Sequence, residues 1–180
     1  MSEPSGIGVI EVFKRETLMV EVVFTVPTWE YSIKDLDPDR TAKASGRDLR
    51  ISLKAAREVC HTIKGMMLKD AMEYLEDVIA LKKPVPFKRY KKEVGHRRQL
   101  QKWPSGRYPV KAAKEILEVL RNVENNADYK GLDTERCKII HAAAQMGPKI
   151  KRYIPRAFGR STPKFQQLTH VEIIVEELLG

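Results

Sequence analysis

The sequence predicts an α+β protein: three helices, followed by one long β-hairpin. Three observations lead there. Apolar residues recur at helical spacing in three stretches between residues 52 and 128. The stretches 135–146 and 168–177 read instead as strands. Between those strands, Gly147 to Gln166 carries Lys149, Lys151, Arg152, Arg156, Arg160 and Lys164 with no carboxylate, and prolines at 148, 155 and 163 remove ladder donors.

Residues 1 to 28 hold two β-branched runs, 8–13 and 18–26, separated by Lys14, Arg15 and Glu16. They lack strict alternation, so the segment is either a weakly specified hairpin or an extension that finds no core. Glu21 and the short apolar run exclude a membrane span. Tyr31 to Ile33 starts a short strand, and Asp35, Asp37, Pro38 and Asp39 mark a turn. Arg40, Lys43, Arg47 and Arg50 then surround Gly46, as a solvated loop or as an arm that contacts phosphate.

The first helix is expected from Ser52, whose hydroxyl suits a cap, to Gly65, which suits the left-handed exit. Ala56, Val59, Cys60 and Ile63 form its inward stripe, with Lys54, Arg57 and Lys64 outside it. The second runs from Leu68 to Lys82, facing inward with Leu68, Ala71, Met72, Leu75, Val78 and Ile79. Lys82 and Lys83 complement its C-terminal dipole and Pro84 stops it. The third begins at Pro109 and ends near Asp128, with Val110, Ala113, Ile116, Leu117, Leu120 and Val123 inside and Gly131 after it. Asn125 and Asn126 in its last turn either cap carbonyls or reach a polyanion.

Before that third helix lies a segment of different character, 83–109. Lys83, Lys88, Arg89, Lys91, Lys92, Arg97, Arg98, Lys102 and Arg107 are opposed by Glu93 alone, and Phe87, Tyr90, Trp103 and Tyr108 are interleaved with them. Cations pair with phosphates while rings take unstacked bases, so the pattern fits single-stranded or looped RNA. Alternatively, some of these rings anchor the loop to the body.

In the hairpin, Ile139, Ile140, Val171, Ile173 and Val175 supply a buried face, while Glu172, Glu176 and Glu177 point to solvent or basic neighbours. From residue 139 to 155 an extended chain reaches on the order of 50 Å. A body of about 150 residues has a radius of gyration near 15 Å, so the tip projects beyond it. A two-stranded ribbon with six close cations is marginal in water and calls for an outside partner.

The formal charge of +9 makes nucleic acid the expected partner, an anionic membrane surface being the weaker choice since no apolar run approaches 18 residues. Cys60 and Cys137 show no metal-ligand spacing and read as small core residues of a reducing compartment. No signal-peptide pattern is present, so the cytosol is expected. His61, His96, His141 and His170 are scattered, without a metalloprotease, nucleophile-elbow or phosphate-loop motif. No catalytic residue, metal or cofactor is therefore expected, with His61 and His141 read as structural. The competing classes are an RNA-processing enzyme using His96 or His141 as a base, and a free-standing RNA chaperone.

The run KRYIPRAFGRSTP, Lys151 to Pro163, with Thr169, His170, Val171 and Glu172, resembles the hairpin signature of the large-subunit ribosomal protein family numbered twenty-two in bacteria and seventeen in eukaryotes. The resemblance continues through Asn125, Asn126, GLDTER at 131–136, RYPVKAA at 107–113 and TAKA at 41–44, covering about 31–177. VGHRR at 94–98 and KWPSGRYP at 102–109 resemble its archaeal and eukaryotic branch. Leu53 departs from it, standing where proline is frequent. Residues 1 to 28 match nothing in its pattern and read as a lineage-specific extension or a misassigned start.

The resemblance implies three helices packed on a small antiparallel sheet with a long protruding β-hairpin. It further implies binding to large-subunit ribosomal RNA and neighbouring ribosomal proteins in the cytoplasm. Lys151, Arg152, Tyr153, Ile154, Pro155, Arg156, Ala157, Phe158, Gly159 and Arg160 match a tip that lines the exit tunnel and meets the nascent polypeptide. Lys54, Arg57, Asn125 and Asn126 match the RNA-facing body surface and Lys149 goes with the tip. Arg40, Lys43, Arg47, Lys111 and Lys164 are further residues expected to bind RNA, as are Lys149, Lys151, Arg152, Arg156 and Arg160. His96, Trp103 and Tyr108 belong to this set with the cations between 88 and 107. The expected organisation is an extension over 1–30 and one RNA-binding domain over 31–180. That domain contains the basic insertion 83–109 and the hairpin 135–177 with its tip 147–166.

Overall fold

A computed structural model of the chain describes residues 30–178, so the expectations for residues 1 to 28 lie outside the described residues. Three antiparallel strands carry the fold: β1 (Thr41–Leu49), β4 (Cys137–Ile150) and β7 (Gln166–Glu177), in the spatial order β1–β7–β4. The last strand of the chain is thus the central one, buried on both faces. Val171, Ile173 and Val175 join the core beneath the helices, while Ile174 is equally buried on the other face.

β1 replaces the loop or arm expected between Arg40 and Arg50, and Tyr31 to Ile33, expected as a strand, is not one. The reason is packing. Ala42, Ala44 and Gly46 alternate along β1, pairing with Val175, Ile173 and Val171. They present the smallest available surface to α3 (Val110–Tyr129), and a Cβ on Gly46 would lie 2.7 Å from Val119 Cγ2. Alanine and glycine have low strand propensity, but here they permit a close helix–strand approach.

The helices fall where their stripes place them. α1 (Leu53–Ile63) buries Ala56, Val59, Cys60 and Ile63, and α3 buries Ala113, Ile116, Leu117, Leu120 and Val123. Ser52 occupies the cap position of α1, yet its hydroxyl makes no capping hydrogen bond; Gly65 has the left-handed φ of +89° expected of a helix exit. Its N–H and the Met66 carbonyl bond Ile139 O and N at 2.8 and 2.9 Å, closing part of the β4 edge. α2 (Leu68–Ile79) ends three residues short of expectation because Leu81 turns the chain at φ +62°. Lys82 and Lys83 then direct both backbone N–H groups and ammoniums to Asp77, rather than extending the helix.

Cys60 and Cys137 are buried as expected, and burial pushes the Cys60 thiol up to about 12. His61 is not a core histidine; it lies exposed on α1.

Candidate nucleic-acid interface

The hairpin ladder continues almost to its end. β4 and β7 pair as far as Ile150↔Gln166, with a register shift between Met146 and Lys149 that accommodates Pro148. Beyond it β5 (Tyr153–Pro155) pairs with β6 (Ser161–Pro163), so Pro155 and Pro163 sit inside paired strands rather than interrupting them. The turn closes with Arg156 N–H on Arg160 O at 2.8 Å, and Phe158 and Gly159 take left-handed φ of +56° and +66°. Tyr153 and Phe165 meet edge to face at 5.7 Å, and the Lys149 ammonium lies 5.7 Å from the Phe165 ring centre.

Every residue from 151 to 166 is exposed, Phe158 at 94%. Among the described residues, no ion pair to a carboxylate reaches Lys149, Lys151, Arg152, Arg156, Arg160 or Lys164. The arm is therefore a ridge of uncompensated positive charge.

The insertion is more ordered than its composition suggests. β2 (Val85–Pro86) pairs with β3 (Gly106–Arg107), and Phe87 is buried. Trp103 donates its indole N–H to Phe87 O at 2.9 Å, and Tyr108 donates its hydroxyl to Gln99 at 2.7 Å. All four rings also carry cations: Arg89 and Lys54 at Tyr90, Lys91 at Trp103, Arg97 at Tyr108 and Arg107 at Phe87, within 5.2–5.9 Å of ring centres. The rings thus hold the cations in place as well as anchoring the loop.

Beneath this loop lies a residue that sequence reasoning passed over. Glu58 on α1 is fully buried, and its carboxylate accepts the backbone N–H groups of Arg89 and Tyr90 at 2.9 Å and of Lys88 at 3.2 Å. Arg57 Nη1 donates to it at 3.1 Å. Burial alone pushes this acid up, but the three amides and the Arg57 charge outweigh it and hold the carboxyl below its usual range. This acid organises the basic insertion from beneath. Its signal was available, for Glu58 is the only acid in LKAAREVCHTI and adjoins Val59 on the inward stripe.

Lys54 and Arg57 therefore border the insertion, forming one surface with Lys88, Arg89 and Lys91. Lys88, Arg89, Lys91, Lys92, His96, Arg97, Arg98, Lys102 and Arg107 are all exposed. Other predicted residues are more engaged. Arg40 donates to Glu177 O at 2.9 Å and lies 4.0 Å from Glu176. Asn126, expected to cap or to reach a polyanion, donates instead to Lys43 O at 2.8 Å and ties α3 to β1. Lys130, not foreseen, reinforces that seam through Pro38 O and Thr41 O. Asn125, Lys111 and Arg47 are exposed.

Glu172 does not point to solvent. It is buried and accepts hydrogen bonds from Ser32 N–H, the Ser32 hydroxyl, His141 Nε2 and Gln145 Nε2. Burial pushes its carboxyl up, and the Ser32 and His141 bonds outweigh this to leave it low. The cluster has the residue types of a nucleophilic relay without the geometry. His141 uses the same nitrogen, Nε2, toward both Ser32 Oγ and Glu172 Oε1, at 3.0 Å each, whereas a relay needs one ring nitrogen for each partner. It instead latches residue 32 to the sheet. Among the described residues no cluster of His, Cys, Asp or Glu is arranged to hold a metal, and no helix is long and apolar enough to cross a membrane.

Fold and charge together define a class: a basic α+β domain with an acid-free hairpin arm. Residues 44–176 match the family described as ribosomal protein L22p/L17e, and the chain belongs to that family. It is 56% identical over 146 residues to the large ribosomal subunit protein uL22 of Archaeoglobus fulgidus, covering 81% of this chain and 94% of the relative. The uL22 proteins of Methanocaldococcus jannaschii and Staphylothermus marinus are 53% and 52% identical, over 82% and 85% of this chain and 94% and 99% of theirs. Its likeness is thus to the archaeal type.

Proposed function

We propose that the chain is a structural constituent of the large ribosomal subunit, in the cytoplasm, and binds large-subunit ribosomal RNA. Beyond the family match, the observation that carries RNA binding is the fully exposed arm with six cations and no carboxylate partner among the described residues. Counterion release from RNA backbone supplies the driving force, and guanidinium groups add bidentate phosphate contacts. The insertion, backed by Glu58, contributes a second and pre-ordered surface. The tip, residues 151–160, lines the nascent-polypeptide exit tunnel, with Phe158 and Tyr153 exposed toward the passing chain. Neighbouring ribosomal proteins complete the surroundings, and residues 31–180 act as the RNA-binding domain. The family is one of ribosomal structural proteins rather than enzymes.

Quantitative co-sedimentation with large subunits through a salt-washed gradient tests the assignment. The protein is expected at one copy per subunit; release of the whole pool by the wash would overturn it. For the tip, crosslinking from Phe158 to a stalled nascent chain is expected, and its absence at every chain length would remove the tunnel assignment.

A further inference from the structure

The segment between His96 and Ser105 borders a wide-open surface cavity of about 570 Å³ whose walls include His96, Arg98, Leu100, Lys102 and Trp103. We propose that this cavity is a preformed pocket for a single unstacked nucleotide, the base lying against the Trp103 ring and the phosphate against Arg98 and Lys102. The proposal deepens the RNA-binding reading above and rests on it.

Several features make this a built recess. Arg97 N–H bonds Pro104 O at 2.7 Å, Gly106 N–H bonds Gly95 O at 3.2 Å, and His96 bridges Ser105, so the mouth is tied at its neck. Gly106 is buried, and a Cβ there would lie 2.5 Å from Leu100 Cδ1 and 3.0 Å from the Val85 backbone oxygen, so glycine lets Leu100 pack this closely. Trp103 is fixed by its bond to Phe87 O, and Lys91, which stands over that ring at 5.6 Å, is not among the cavity walls. Lys102 is held at φ +65°, a conformation that costs a non-glycine residue energy and persists only where its surroundings enforce it.

Apolar and aromatic walls with convergent cations and no carboxylate suit a planar base joined to an anion. The volume is of the size of small-ligand sites. The same chemistry is carried by a nucleotide within RNA and by a free one.

The experiment uses the full chain and an RNA hairpin bearing one bulged 2-aminopurine, against the same hairpin fully paired. The expected result is a preference of roughly tenfold for the bulge, the scale of base–aromatic stacking, with quenching of the 2-aminopurine. Trp103→Ala abolishes both, and R98A/K102A abolishes the preference without touching the Phe87 bond. K114A/R121A, an equal loss of two charges on α3, leaves the preference intact. Displacement of the bulged RNA by AMP supports the pocket with a free nucleotide as sufficient ligand; preference without AMP binding supports it for RNA alone. Equal binding of both hairpins by the wild type overturns the pocket and leaves RNA binding standing. Binding of neither hairpin at low salt overturns the underlying RNA reading.

Discussion

Exchanging Glu58 for glutamine isolates what holds the basic insertion in place. In the wild type, Oε1 accepts from Arg89 and Tyr90, and Oε2 accepts from Lys88 and Arg57. Glutamine keeps one oxygen, enough for two of the four donors, and sets an NH2 group against the other two. Hydrogen bonds to a charged group are worth about 1.5–3 kcal/mol each. Two lost bonds therefore bound the cost at about 3–6 kcal/mol. Arg57 is 31% exposed and recovers water in place of its bond, so the cost falls to the low end, about 2–3 kcal/mol. Urea unfolding at unchanged m-value measures it, and amide exchange at residues 88–90 locates it. RNA affinity supplies a sign test: the variant gains one positive charge, which by charge alone tightens binding, whereas a disordered loop weakens it. An unchanged midpoint with unchanged protection at residues 88–90 would refute the role given to Glu58.

Three further outcomes are expected. Gly46→Ala drives a Cβ to within 2.7 Å of Val119 Cγ2 between β1 and α3, costing about 1–3 kcal/mol; an unshifted urea midpoint would show that α3 yields freely. Replacing Arg152, Arg156 and Arg160 together by alanine leaves stability within about 0.5 kcal/mol, because all three are exposed, but flattens the slope of log affinity for RNA against log salt by about 2. An equal loss of stability and binding would contradict the division into body and arm. Glu58 and Glu172 are both held below the usual carboxylate range, so their contribution is complete above that range and is lost as pH falls through their folded values. Acid titration of unfolding is expected to show a steeper low-pH limb in the wild type than in Glu172→Gln; coincident limbs would remove Glu172 from the balance.

The three helices were legible because their stripes needed no partner to be seen. Ala56, Val59 and Ile63, or Ile116, Leu120 and Val123, repeat at a period only a helix satisfies. The hairpin was legible for the same reason, and its acid-free tip announced itself by composition. β1 was not, since Ala42, Ala44 and Gly46 carry a strand's alternation in residues that seldom make strands. Their fitness depends on Val119, more than 70 positions away in the chain.

Sequence alone therefore determined the three helices and the hairpin, the family resemblance and the concentration of charge in 83–109 and 147–166, because each is written in local spacing or composition. Tertiary structure decided which polar groups are spent internally. It turned Glu58 inward to hold the basic loop, buried Glu172 between Ser32 and His141, and gave Asn126 to the backbone of Lys43. A buried carboxylate must find its partners wherever the fold brings them, and the loop amides, Ser32 and His141 lie between 30 and 140 residues from the acids they bond. The tip needed no such decision: among the described residues its cations meet no carboxylate, and the charge read from the sequence is the charge the arm presents.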